Sequence, residues 1–71
     1  MMLTATAEAL FVSAMQPSDH CNRAEVDAAV DTSLLAYGGE AGCAQRLAAE
    51  FGEHPETAVP RMRWALWAVA S

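Results

Sequence analysis

The spacing of apolar residues along the chain predicts helices. Apolar positions recur at steps of three and four, which places them on one face of a helix. This pattern predicts helices over residues 4–15, 23–37, 41–51 and 58–70. Phe11 and Val12 would also suit a strand, but the chain offers no second strand to pair with them. We therefore expect an all-α fold, a three- to four-helix bundle, in a single domain over residues 1–71.

Capping and turn residues set the predicted helix ends. Asn22 and Glu25 have the spacing of a capping box at the start of the second helix. The other signals are an N-cap at Thr4 and stops at Pro17, Gly38-Gly39 and Gly52.

Two prolines complicate the start of the last helix. If it begins at Pro55, Pro60 lies in its interior and costs about 3 kcal/mol through a lost hydrogen bond and a clash. If Thr57 is the N-cap, Pro60 falls in the first turn, where its missing N–H is harmless. We favour a loose turn over residues 55–57, with a bend at Pro60 as the alternative.

The segment from Cys43 to Val69 is expected to organise the core. Its two predicted helices carry the apolar stripes Cys43, Leu47, Ala48 and Phe51, and Ala58, Met62, Ala65, Leu66 and Val69. The 4–15 helix either packs on them or forms an arm for self-association. A chain of 71 residues has a marginal core, and a homodimer would help to complete it.

The charge is acidic and unevenly distributed. The formal net charge is −5; residues 1–39 hold five carboxylates against Arg23, and residues 40–71 hold four against Arg46, Arg61 and Arg63. Proteins that bind DNA usually present a basic face, so the acidity disfavours that partner. The absence of Lys and the abundance of Ala resemble small helical proteins of high-GC bacteria.

The cysteines and histidines predict no cofactor site. His20, Cys21, Cys43 and His54 lack the short paired spacing of zinc ligands. Without an export signal or a membrane-length apolar run, we expect free thiols in a cytoplasmic protein that does not enter a membrane. No nucleophile with a base, carboxylate pair or phosphate-binding loop can be assembled, so we expect no enzymatic activity.

One segment resembles the helix-turn-helix motif of DNA-binding proteins, over Ala44 to Trp64. Ala48 stands where the two helices touch, Gly52 at the turn, and Ala58 and Met62 at the buried positions of the second helix. The resemblance implies that the second helix enters the major groove. The residues that it would direct to DNA are Glu56, Thr57, Arg61 and Arg63, with Arg46 near a phosphate.

Trp64 and Trp67 are the second candidate feature. They either fill the far side of the core or form an exposed aromatic pair beside Arg61 and Arg63, a composition typical of protein interfaces. Our first hypothesis is a small interaction or regulatory module that binds another protein, or itself, through Arg61, Arg63, Trp64 and Trp67. The alternative is a helix-turn-helix transcriptional regulator acting through the same helix.

Overall fold

A computed structural model describes residues 2–70 and confirms the all-α fold. Its helices are α1 (Leu3–Phe11), α2 (Arg23–Tyr37), α3 (Glu40–Glu53) and α4 (Pro55–Ala70), with a short 3₁₀ turn at Pro17–Asp19. The Cα radius of gyration is 10.9 Å, close to the value of about 11 Å expected for one folded domain of this length. Among these residues, no helix combines the length and apolar character that crossing a bilayer requires.

The central element of the bundle is α1. It packs against all three other helices, and Leu10 and Phe11 lie in the core beside Ala7 and Ala9. Of the two expectations for this helix, the structure shows the packed one. The expectation that residues 43–69 organise the core also gives too little weight to α1.

The fully buried part of the core is rich in small side chains. Its buried apolar residues are Ala7, Ala9, Leu10, Phe11, Val26, Val30, Cys43, Ala58, Ala65, Ala68 and Val69. The Phe11 ring also stacks on Phe51 of α3, with centroids 5.7 Å apart. Because so many members are alanines, the helices must approach each other closely to exclude water.

The first helix ends earlier than predicted. It stops at Phe11 and does not continue to residue 15. The Ser13 hydroxyl donates to the Leu10 carbonyl at 2.6 Å and accepts from the Met15 N–H at 3.2 Å, so it competes with the helical bonds. The N-terminal prediction is also wrong: the N-cap is Met2, and the Thr6 hydroxyl, not Thr4, bonds to its carbonyl.

Arg61 of α4 caps the end of α1. Its guanidinium donates to the carbonyls of Phe11 at 2.8 Å, Ser13 at 3.0 Å and Met15 at 2.8 Å. The same group lies over the Phe11 ring at 5.7 Å and the Trp64 ring at 4.9 Å. Burial lowers the pKa of Arg61. A half-buried cation is thus held by carbonyl dipoles and aromatic faces, with no carboxylate among its described contacts.

A second arginine caps α4. Arg23 donates to the Val69 carbonyl at 2.8 Å, near the C-terminus of that helix, and also pairs with Asp27 at 3.3 Å. None of α1 to α4 carries a basic residue in its own last turn. The favourable charge at the ends of α1 and α4 is therefore supplied by other helices.

Both predicted boundaries of α2 are confirmed. Asn22 accepts from the Glu25 N–H at 2.9 Å, and Glu25 accepts from the Asn22 N–H at 3.1 Å, which completes the capping box. At the other end, Gly38 and Gly39 have φ values of 80° and 94°, and both N–H groups donate to the Leu34 carbonyl. This left-handed stop is the one that a glycine pair favours.

The predicted start and end of the α3–α4 connection are wrong. The α3 helix continues through Gly52 to Glu53, and α4 begins at Pro55, so that His54 alone connects them. Thr57 is not the N-cap; its hydroxyl donates to the His54 carbonyl at 3.1 Å. Pro60 therefore lies inside α4. It is exposed, so water can reach the Glu56 carbonyl that lacks its usual helical donor.

Gly42 is required where α2 and α3 meet. A Cβ at this position would overlap the backbone carbonyl of Tyr37, whereas a Cβ at Gly52 would meet nothing within 4 Å. Glycine weakens the first turn of a helix, but at this position it permits a close approach of two backbones.

We predict that Gly42→Ala and Gly52→Ala have opposite effects on stability. Gly42→Ala should lower the free energy of unfolding by about 1–3 kcal/mol, since a backbone must move. Gly52→Ala should raise it by up to about 0.5–1 kcal/mol through helix propensity. Urea unfolding followed by circular dichroism measures both, and equal effects would contradict the close approach at Gly42.

We predict that Arg61→Lys destabilises the fold although it keeps the charge. An ammonium cannot bond to three carbonyls and stack on two rings in the same geometry, so a loss of about 2 kcal/mol is expected. The matched control is Arg63→Lys on the same helix, whose side chain is exposed and should change stability by less than about 0.5 kcal/mol. Indistinguishable urea midpoints for the two variants would contradict the capping role.

Candidate functional site

Beyond the first turn of α4, the exposed side of this helix is almost entirely apolar. We call this side the outer face of α4; it consists of Val59, Pro60, Arg63, Leu66, Trp67 and Ala70. These exposed positions follow the helical repeat, so they form one continuous strip. Trp67 is 70% exposed, and Val59 and Leu66 are each 39% exposed. Leu66 was expected in the core stripe, and that expectation is wrong.

The outer face contrasts with the rest of the surface. Seven of the nine carboxylates are exposed, and Glu56 lies on α4 one turn before Val59. Arg63 is the one charge within it and forms no ion pair with any residue of 2–70. An apolar strip on an otherwise acidic domain is unusual for a surface that remains in water.

The two tryptophans have different roles in the fold. Trp64 is half-buried, packs against the core and contacts the Arg61 guanidinium. Trp67, one turn later, projects from the surface. The sequence left open whether the two tryptophans fill the core or lie exposed. Trp64 packs against the core, whereas Trp67 is exposed.

Trp67 borders a cleft between α4 and the segment that joins α1 to α2. The cleft has a volume of about 360 Å³, which is within the range of binding pockets. It is lined by Met15, Gln16, Pro17, His20, Cys21, Val26, Trp64, Trp67 and Ala68. The joining segment thus brings residues to α4 that the spacing along the chain does not connect with it.

Two capping boxes hold the joining segment in place. The Gln16 N–H donates to the Asp19 carboxylate at 2.8 Å, and Asn22 and Glu25 form the second box immediately after it. Between them, His20 adopts the left-handed conformation, with φ 50° and ψ 46°. A residue other than glycine in this region is uncommon, although His is among the types that tolerate it. Hydrogen bonds at both ends therefore hold this wall of the cleft in one turn conformation.

The cleft has an acidic rim. The pKa of the Cys21 thiol is raised, first by burial and then by the negative charges of Glu25 and Asp19. Both carboxylates are exposed, and each uses one oxygen in its capping box. The nearest cation on α2, Arg23, is paired with Asp27. The edge of the cleft beside Cys21 is therefore acidic.

The candidate DNA-contacting residues lie in different environments. Arg46, Thr57 and Arg61 line one polar cleft of about 250 Å³. Within it, Arg46 pairs with Glu50 at 2.9 Å, and Arg61 is engaged by the end of α1. Glu56 and Arg63 are exposed on α4. The structure does not bring these five residues into one basic surface.

Several geometric features expected from the helix-turn-helix resemblance are absent from residues 44–64. Ala48 is exposed and does not lie at a helix contact, and Gly52 is helical, without the positive φ of a turn. His54 alone separates the helices, where that motif has a longer turn. Ala58 is buried and Met62 half-buried, as expected.

Sequence reasoning missed the part of the site contributed by residues 15–21. The capping residues and Pro17 indicate an ordered turn, and this signal was available. Nothing in the spacing shows that the turn lies against Trp67, because that proximity depends on how α1 and α4 pack.

No protein-family model, curated protein sequence or solved structure matches this chain.

The two cysteines should differ sharply in reactivity, and this difference tests the cleft. Cys43 is fully buried, whereas Cys21 is partly exposed in the cleft wall. N-ethylmaleimide should modify Cys21 in the folded protein and Cys43 only on unfolding, as intact-mass measurement over time would show. Because Glu25 raises the pKa of Cys21, Glu25→Gln should lower that pKa and speed the reaction at constant pH. A slower or unchanged rate would contradict the acidic rim.

Proposed function

We propose that this protein is a small interaction module that binds another protein through the outer face of α4. The observation that carries the proposal is the 70% exposure of Trp67 in a strip with Leu66 and Val59. Tryptophan is strongly enriched among residues that dominate binding energy, and Arg63 beside it adds a second favoured residue type.

The fold supports this role because it holds the exposed face in a fixed position. Arg61 ties α4 to the end of α1, and Arg23 ties the end of α4 to α2. A surface that is already ordered loses little entropy on binding. The partner is either a different protein or a second copy of this chain, and the same surface serves both cases.

A capture experiment with matched variants tests the proposal. The immobilised wild-type protein and Leu35→Glu should retain the same proteins from a lysate of the native host, while Trp67→Glu should lose them. Leu35 is a suitable control because it lies on α2 and is 87% exposed, so both substitutions add the same charge at an exposed apolar residue. Sedimentation equilibrium of all three proteins detects self-association.

The outcomes separate the two hypotheses. Equal capture by all three proteins, together with monomeric sedimentation, would refute binding through the outer face. The DNA-binding alternative predicts instead that sheared DNA binds at low salt, dissociates as salt rises and is lost in an Arg46→Gln, Arg63→Gln double variant. Arg61 is left unchanged there because its substitution would test the fold.

A further inference from the structure

The cleft beside Trp67 has the size and lining for one large apolar side chain. Its walls include the two indole rings, Met15, Val26 and Ala68. A dry cavity of about 150 Å³ holds a benzene-sized group, so an open cleft of about 360 Å³ accommodates a Leu, Phe or Met side chain with part of its backbone.

The cleft exists before any ligand arrives. Arg61 bonds to the Met15 carbonyl and stacks on Trp64, which fixes two of its walls relative to each other. The capping boxes fix the turn opposite. Binding in such a site requires little reorganisation, which favours a specific anchor over loose adsorption.

The charges around the opening restrict the partner. Asp19 and Glu25 flank Cys21 of the cleft wall along the chain, Arg23 pairs with Asp27, and the half-buried Arg61 is held by the carbonyls at the end of α1. A second copy of this chain carries a net charge of −5, which disfavours it as the occupant of this cleft. A partner with Lys or Arg beside its apolar anchor would associate faster and would also form favourable charge contacts at the rim.

We propose that the cleft binds an apolar side chain from a cationic amphipathic helix of a partner protein, whose basic residues meet Asp19 and Glu25. The outer face of α4 continues from the cleft through Trp67 and supplies a strip along which the apolar side of that helix lies. This inference rests on the proposed interaction function and specifies the chemical class of the partner.

Three peptides of about 18 residues, long enough to form helices, test the charge and the anchor separately. The first has Leu on one face and Lys on the other, the second replaces Lys by Glu, and the third keeps Lys but replaces Leu by Ala. Binding to the full chain is measured by anisotropy of the labelled peptide. The Leu/Lys peptide should bind at least about tenfold more tightly than either of the others.

Variants of the protein locate the site. Trp67→Ala should weaken binding of the Leu/Lys peptide about tenfold. Modification of Cys21 by N-ethylmaleimide should weaken it to the same extent, because the added group fills the cleft. Asp19→Asn with Glu25→Gln keeps hydrogen-bond acceptors for both capping boxes and should weaken binding about fivefold at low salt, with less effect at high salt. The control, Asp31→Asn with Glu53→Gln, makes the same charge change at exposed positions outside the cleft and should leave affinity within about twofold.

Clear results would overturn the inference. Equal binding of the Lys/Ala peptide would show non-specific attraction to an acidic protein, and equal binding of the Leu/Glu peptide would exclude the charge selection. Equal losses in the two double variants would remove Asp19 and Glu25 from the site. If the capture of host proteins depends on Trp67 but no Leu/Lys peptide binds, the partner class is wrong and the interaction function stands; if capture is independent of Trp67, the interaction function fails as well.

Discussion

The contact between the Arg61 guanidinium and the carbonyls at the end of α1 holds this bundle together. It closes a helix that stops at Phe11, it joins the first helix of the chain to the last, and it supports Trp64 from one side. An arginine can do this because its planar fork of donors also stacks on aromatic rings. The guanidinium is half-buried, which lowers the pKa of Arg61, and the carbonyl dipoles replace part of its hydration.

The positions of the arginines determine where positive charge lies on the surface. The chain has four basic residues: Arg61 and Arg23 cap helices, and Arg46 pairs with Glu50. Four arginines against nine carboxylates give the formal net charge of −5, and three of the four are held at helix ends or in an ion pair. Arg63 stands apart within the outer face of α4, where an apolar strip and one cation lie side by side.

Local signals in the sequence predicted the helices well, and contacts between distant segments limited the rest. The Asn22 and Glu25 box and the Gly38-Gly39 stop depend only on neighbouring residues, and both were predicted correctly. The end of α1 depends on Ser13 and on Arg61, which lies 50 positions after Phe11 in the sequence. Apolar periodicity contains neither contact, so it predicted a helix that is too long. The spacing of Leu66 fits a core stripe. However, the small residues Ala65 and Ala68 form the buried side of α4, and Leu66 lies at the surface. The cleft could not be predicted for the same reason, since residues 15–21 reach Trp67 only through the packing of α1 on α4.

The alanine-rich core has a consequence for how the domain responds to heat. Unfolding exposes less apolar surface than it would from a core of leucines and phenylalanines, and apolar exposure is what makes the heat capacity of unfolding large. The heat-capacity increment should therefore lie below the value of about 0.9–1.1 kcal/mol/K that is average for 71 residues. A small increment flattens the curve of stability against temperature, and a short chain has a small unfolding enthalpy. The thermal unfolding transition of this domain should therefore be broad, and its free energy of unfolding should change little with temperature.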